Sequence, residues 1–201
     1  VRDVLAKKDI KLDIVTFSDF VTPNLALADG SIDANSFQHE PYLKKFAADR
    51  KLDLVKLAPT IVFPIGIYSK KVKSIYDLKN KAIVAIPNDP TNAGRALMLF
   101  EKAGLQFKEL EAAQLPRVLP DVDIATINTT FAIQAGLDPL KDAIYSEDKD
   151  SLYVNIIAVR AKDVGNPLLK ELVEAYHSKE VADYVNKKYA GSLVLGFTEP
   201  K

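Results

Sequence analysis

The stretch AIVAIPNDPTNAGRALMLFEKAGL, residues 82–105, changes its period partway through. Ala82–Ile86 is an unbroken apolar run of strand length, as a strand covered on both faces requires. Pro87 and Pro90 break it. Asp89 then precedes Pro90 in the arrangement of a helix cap followed by the first helical position. On the helix that follows, Asn92 and Arg95 stand three apart on one face, and Ala93, Ala96, Leu97, Phe100 and Ala103 mark the buried side. A strand, a short turn and a helix together form the repeating unit of an α/β sheet, and in such sheets ligands bind at carboxyl ends of strands near helix starts. Free backbone N–H groups beside a guanidinium make an anion site there. With a single Gly94 and no Lys–Ser/Thr pair this is not a phosphate loop. One carboxylate gripped by Arg95 fits better. A surface ion pair between Arg95 and a neighbouring Asp or Glu accounts for the spacing equally well.

The alternation continues outward from this segment. KLDIVTF (11–17) has a strand pattern, and TPNLALADG (22–30) reads as a helix with Thr22 as its cap, Pro23 first and Gly30 at its stop. SIDANSF (31–37) reads as a short strand, and HEPYLKKFAADR (39–50) as a helix with Pro41 near its start. LDLVKLA (52–58) and IVFPIGIYS (61–69) read as strands, the second broken by Pro64 and Gly66 at an edge or a bend. KAIVAI (81–86), QFKELE (106–111) and DVDIATIN (121–128) look like buried parallel strands. SLYVNIIAVRA (151–161) is the longest apolar strand run. Two helices close the chain, one opening at Asn166–Pro167 and one over SKEVADYVNKKYAG (178–191), ended by Gly191. The expected class is an α/β sheet with helices on both faces.

Composition narrows the function. Lys+Arg and Asp+Glu are equal at 27 each in 201 residues, which leaves no electrostatic footprint for nucleic acid. No apolar run is long enough to cross a bilayer. Cysteine is absent, which excludes thiol catalysis and Cys-ligated metals, and His39 and His177 are too few for a histidine metal site. No metal or cofactor is expected.

Several segments together carry a family resemblance. They are VTFSDFVTPNLALADGSIDANSFQHEPYLKKF (15–46), FPIGIYSKKVKS (63–74), AIPNDPTNAGRALMLFEKAGL (85–105), ELEAAQLPR (109–117) and INTTFAIQAGLDPLKDAIYSEDKDSLYVNIIAVR (127–160). In that order they resemble the methionine-binding lipoproteins of the NlpA type, the substrate-binding components of bacterial methionine ABC importers. The resemblance is collinear over nearly the whole chain. It implies a type II periplasmic binding protein-like fold, two lobes joined by a hinge with the ligand cleft between them. Residues 1–72 plus 151–201 are expected to form lobe one and 73–150 lobe two. The implied partners are L-methionine, D-methionine or a methionine derivative, and an ABC permease with its ATPase. The protein is expected to be a lipid-anchored monomer in the periplasm or at the outer face of the cytoplasmic membrane, with no nucleic-acid partner.

Two departures from the family pattern stand out. The family begins with a leader, a lipid-modified Cys and a first strand and helix; this chain starts within that helix, so the lipid anchor is absent from it. The family also carries roughly two dozen residues between the EKAGL helix and the ELEAAQLPR strand. Here Leu105 runs directly into Gln106. Either the protein is shortened or further residues belong at that junction, and the second reading is taken.

The resemblance also assigns roles. A buried amino acid needs partners for its carboxylate, its ammonium and its side chain. Arg95 is expected to take the carboxylate, and the carbonyls of Asn128 and Asn155 the ammonium. Asn155 lies inside an apolar run, where a buried amide needs a reason; bonding to the neighbouring backbone at a bend is the alternative. Asn128 could equally cap the helix after it. Phe20, Phe37, His39 and Tyr68, all placed on lobe one, are the expected walls for a thioether. Phe37 and His39 are two apart, so an extended segment points both the same way; His39 could instead bond backbone at its helix start. His177 is expected to be solvated, and SEDKD (146–150) to be a solvated hinge loop. Ser36 and His39 lack a third orienting group, so catalysis is not expected. A surface adhesin on the same fold, or an importer component for another small amino acid or dipeptide, is the alternative function.

Overall fold

The computed structural model describes residues 1–100, 106–148, 151, 153–189 and 191–198. Along the chain, α1 (Arg2–Ala6), α2 (Thr22–Asp29) and α3 (Glu40–Arg50) lead to β1 (Leu54–Val62). Then come β2 (Gly66–Tyr68), β3 (Ile83–Pro87), α4 (Pro90–Leu97), β4 (Gln106–Leu110), β5 (Ile124–Ile127), α5 (Thr129–Gln134) and β6 (Ala143–Ser146). The chain finishes with β7 (Val154–Arg160), α6 (Pro167–Tyr176), α7 (Lys179–Tyr189) and β8 (Val194–Leu195). These elements fall into two compact units, Val1–Val62 with Leu152–Lys201, and Phe63–Ser151.

The first unit is built on an antiparallel sheet of order β7-β1-β8. Ile156 and Ile157 point to opposite faces of β7 and are 1% and 0% exposed, because both faces are covered. On one side α2 and α3 bring Leu27, Leu43 and Ala47 onto Leu54, Ile156 and Ala158. On the other, α6 brings Leu169 onto Ala58, Ile157 and Val159. Each fully buried Leu, Ile or Val side chain among these contributes about 1.5–3 kcal/mol. The apolar run of β7 thus reflects cover on both faces of the strand rather than a parallel pairing.

Three sequence expectations change here. Lys11–Phe17 joins no strand ladder among the described residues, and Ile14 and Val15 stay 58% exposed; an alternating pattern becomes a strand only when a neighbour takes its backbone groups. Residues 31–37 contribute only an isolated bridge, Asn35 to Ala158. The expected strand starting at Leu52 runs on as β1 through Pro59 to Val62, its register shifting between Pro59 and Val62 where the ladder lacks an N–H. Helix α2 is also entered differently: Thr22 donates its hydroxyl to Asp19, whose carboxylate accepts the Val21 and Thr22 N–H groups. Asp19, not Thr22, is therefore the anchor, and Gly30 ends the helix at φ 88°.

The second unit holds a mixed sheet of order β4-β3-β5-β2-β6. Strands β3, β4 and β5 are parallel, whereas β2 pairs antiparallel with both β5 and β6. Ile67, Val84, Ile86, Ala96 and Ile124 form its core under α4. Strand β4 was expected to be buried but is an exposed edge along most of its length. The buried positions of α4 are Asn92, Arg95 and Ala96, while Leu97 is 42% exposed: at 100° per residue it turns away from the Asn92–Arg95 face. The expected buried position Ala103 lies outside the described residues. Because β2 bonds into this sheet, the chain passes into the second unit at Phe63, ten residues before the expected boundary, and carries Tyr68 with it.

Candidate functional site

In the second unit the helix start behaves as the turn chemistry requires. The Asp89 carboxylate accepts from the Asn92 N–H at 2.9 Å and the Thr91 hydroxyl at 2.7 Å, and its other oxygen takes the Asn92 side-chain N–H at 2.9 Å. Asn92 in turn accepts from the Asn128 amide at 3.0 Å. Asn128 stands at the cap position of α5 but makes no side-chain cap bond, because its amide is turned to Asn92. Its Oδ1 is buried and has no hydrogen-bond partner among the described residues. A buried acceptor left in this state costs about 1–3 kcal/mol unless a donor arrives.

Arg95 is 3% exposed. Its Nε donates to both carboxylate oxygens of Glu147, at 2.9 and 3.0 Å, and its Nη2 donates to Glu147 and to the Phe63 carbonyl, the latter at 3.0 Å. Glu147 is itself fixed. Its backbone N–H bonds the Ile65 carbonyl, and its carboxylate takes the Ile65 N–H at 3.3 Å. The Thr129 hydroxyl donates to the Pro64 carbonyl, which ties the same segment to α5. Glu147 was expected in a solvated loop; instead its side chain is 13% exposed, because a buried guanidinium needs a counter-charge. The Nε/Nη2 fork expected to face a ligand is thus occupied by Glu147.

The first unit gathers the aromatic candidates. The rings of Phe20, Phe37 and Tyr42 form a triangle with centroids 5.7, 6.2 and 6.2 Å apart, and Tyr42 donates its hydroxyl to the Phe20 carbonyl. His39 sits against Tyr42 at 6.2 Å and Tyr153 at 5.0 Å, both edge to face. Its Nδ1 accepts from the Tyr42 N–H at 3.1 Å, so it caps α3. Phe37 and His39 both reach Tyr42, as residues two apart on an extended segment can. Asn155 pairs by an isolated bridge with His39 and donates its amide to the Phe37 carbonyl at 3.2 Å, which leaves the carboxamide oxygen to accept.

Beneath this wall lies a buried amide cluster. Asn24 and Gln38 exchange two bonds of 2.8 and 2.6 Å, and Asn35 adds bonds to Asn24 and to the Pro23 carbonyl. The cluster pins the start of α2 to the segment bearing Phe37 and His39. Phe20 is placed by the Asp19 turn. Partial burial raises the Asp19 carboxyl, but the bonds from Thr22 and Val21 outweigh it and hold the group below the usual carboxylate range.

Tyr68 belongs to the second unit. It lies on β2, 1% exposed, with its ring over Gly66, where an added Cβ would meet a ring carbon at 2.8 Å. Its hydroxyl has no partner among the described residues. Burial, with the charges of Asp142 and Asp138, pushes that hydroxyl's pKa up. His177, expected to be solvated, accepts no such fate: its Nε2 lies 2.8 Å from the Pro59 carbonyl and its ring stacks on Phe197 at 4.3 Å. Sequence reading missed Tyr42, Tyr153 and Glu147. For the first two the available signal was proximity to His39 and Asn155; for Glu147 there was none.

Comparison with known proteins decides the family. The pattern described as NlpA lipoprotein matches residues 1–106 and 104–197. The chain belongs to the NlpA lipoprotein family. Among the relatives, the D-methionine-binding lipoprotein MetQ of Salmonella typhi is 46% identical over 98% of this chain and 83% of its own length. The protein of the same name from Escherichia coli (strain K12) is 44% identical over 95% of this chain and 80% of its own length. Among solved structures, a nutrient binding protein from Burkholderia cenocepacia bound to methionine superposes with a TM-score of 0.92 at 44% identity, covering 96% of this chain and 91% of that one. The methionine binding protein MetQ gives 0.93 at 43% identity, over 98% and 91% of the two chains. The likeness extends across both units, so the α/β fold is that of the two-lobed type II binding proteins. The two matched stretches of the NlpA pattern meet where Leu105 joins Gln106; that junction lies outside the described residues.

Proposed function

We propose that this chain binds methionine and serves as the substrate-binding component of an ABC importer, without catalysing a reaction on its ligand. The observation that carries the reading is the buried Oδ1 of Asn128, unpartnered among the described residues, on a side chain joined through Asn92 to the helix that bears Arg95. In the proposal Arg95 meets the ligand carboxylate, and Asn128 and Asn155 accept from its ammonium. Phe20, Phe37 and His39, with Tyr42 and Tyr153, offer polarizable surface to a thioether. The family membership and the names of its relatives support methionine as cargo. A membrane permease with its ATPase, a lipid anchor at the outer face of the cytoplasmic membrane and a monomeric state belong to the same reading.

The test is to denature the purified protein, identify any released ligand by mass spectrometry, and titrate the emptied protein with L- and D-methionine. Release of unmodified methionine with one-to-one rebinding, weakened in Asn155→Ala, is the expected result. Binding of neither enantiomer would overturn the reading.

A further inference from the structure

We propose that the lysine-rich face of residues 69–81, in the second unit, is an interaction surface for an anionic phospholipid membrane, with Tyr76 as the ring that enters the headgroup layer. This surface uses no residue of the candidate ligand site and is independent of what that site binds.

Charge is unevenly distributed along the chain. SKKVKSIYDLKNK (69–81) holds five lysines and one aspartate, whereas the whole chain has 27 charges of each sign. Five less one leaves the segment at +4, and a chain that sums to zero leaves −4 elsewhere. At physiological salt a surface charge is felt over only about 8–10 Å. A membrane touching this face therefore responds to the lysines and not to balancing charge beyond that distance.

Packing sorts the side chains of the segment. Val72 and Ile75 lie against the core cluster that contains Leu78 and Ala82, so every third residue from 72 to 78 turns inward. Lys70, Lys71, Lys73, Tyr76, Lys79 and Lys81 are left exposed. The backbone that carries them is pinned. The Ser69 hydroxyl accepts from the Lys71 and Val72 N–H groups, each at 2.9 Å, and donates to the Asp123 carbonyl at 2.7 Å. The Ser74 hydroxyl accepts from the Tyr76 N–H at 3.2 Å. Lys71 is partly committed, since its Nζ donates to the Asp121 carbonyl at 3.3 Å and lies 3.7 Å from the Asp123 carboxylate. Lys70, Lys73, Lys79 and Lys81 make no ion pair among the described residues, and Asp77 is the one acid within the segment.

Tyr76 points to the same partner independently. At 84% exposure it is the most exposed large hydrophobic side chain among the described residues. A ring with an apolar body and a polar tip, set among ammonium groups on flexible stems, matches the layering of a bilayer surface: phosphates outermost, then the glycerol boundary. Single-stranded nucleic acid is gripped by several stacked rings together with guanidinium groups. This face offers one ring and no arginine.

The chain has no tryptophan, so Tyr76→Trp supplies a single fluorescent reporter at the centre of the face. Its emission should shift to the blue with phosphatidylcholine vesicles containing about 30% phosphatidylglycerol at about 0.05 M salt, and should stay unshifted with phosphatidylcholine alone. Sedimentation of the unsubstituted chain with the anionic vesicles should fall away as salt is raised to about 0.5 M. Each lysine at such a surface multiplies the partition constant about fivefold, so Lys73→Gln with Lys79→Gln should weaken it at least about tenfold. Lys187→Gln with Lys188→Gln, the same loss of charge on α7, should change it less than about twofold. Tyr76→Ser should weaken it at least about threefold with an unchanged melting temperature. No blue shift, equal binding to both vesicle types, or equal loss from the two lysine pairs would each overturn the proposal. So would tighter binding to a single-stranded oligonucleotide than to the vesicles, which would make the face a nucleic-acid surface. All the substituted side chains are exposed, and the vesicle and salt comparisons need no lysine variant, so the outcome does not depend on how a variant folds.

Discussion

Replacing Arg95 separates recognition from stability. The side chain is 3% exposed and holds Glu147, whose side chain is 13% exposed, while also donating to Phe63. Arg95→Ala leaves a carboxylate without its cation and a carbonyl without its donor. Breaking a buried pair costs about 3–5 kcal/mol when the orphaned charge stays buried. Glu147 keeps the Ile65 N–H and some access to water, so the lower end is expected for unfolding. Loss of a partner for the ligand carboxylate costs about 2–5 kcal/mol of binding, or about thirtyfold to several thousandfold in Kd. The informative companion is Arg95→Met with Glu147→Gln, which removes both charges at similar volume. Denaturant unfolding should show the double variant recovering much of the stability lost in Arg95→Ala. Calorimetry should show no recovery of methionine affinity. A double variant that binds methionine within about threefold of the parent would reduce Arg95 to a counter-ion for Glu147 and refute the carboxylate assignment.

Asn128→Ala removes the unfilled acceptor together with the bond to Asn92; methionine affinity should fall by about 1–3 kcal/mol, and an unchanged Kd would mean that no donor ever reaches that oxygen. Tyr68→Phe deletes a buried hydroxyl that has no partner among the described residues, so stability should hold or rise by about 0–1 kcal/mol with methionine affinity unchanged. A marked loss of binding would place Tyr68 back among the ligand contacts. Asp19→Ala removes the acceptor at the entry to α2 and should cost about 1 kcal/mol at neutral pH. Because the folded Asp19 carboxyl sits below its usual range, its contribution is present above the unfolded value of about 3.9 and is lost as pH falls through the folded one. Unfolding curves of parent and variant should therefore converge in strong acid, and a gap that persists there would assign Asp19 a packing role.

Local chemistry made part of this molecule legible and stopped at a definable point. The Asp89–Pro90 start of α4, the Gly30 stop of α2 and the Asn166–Pro167 start of α6 are decided within a turn of sequence, and the structure has them. Arg95 and Asn92 follow from the same helix period. The pairings do not. Glu147 lies 52 residues from Arg95, inside a charged run whose ordinary fate is solvation, and nothing in its neighbourhood marks it as buried. Lys11–Phe17 fails in the opposite sense, since its alternation is correct for a strand and only the absence of a ladder partner among the described residues denies it one. Tyr68 was assigned by an expected boundary, whereas the strand that bears it had already been claimed by β5 and β6.

Under the proposed assignment of Arg95 to the ligand carboxylate, its fixation by Glu147 and Phe63 bears on affinity. A free guanidinium on a surface helix loses about 2 kcal/mol of rotamer entropy when a ligand orders it. Here Glu147 and Phe63 fix it from the Nε/Nη2 side during folding, and Glu147 is in turn held by Ile65. The ordering cost is then charged to the stability of the second unit rather than to binding. The same arrangement carries a penalty in attraction, because a guanidinium shared with a carboxylate pulls less strongly on a second one. A site that accepts weaker attraction for better placement discriminates by geometry and charge balance more than by raw affinity. Asn128 fits that logic: its amide is already committed to Asn92, and only the oxygen is left open. Under the proposed assignment, recognition in this unit depends on what folding leaves unfilled.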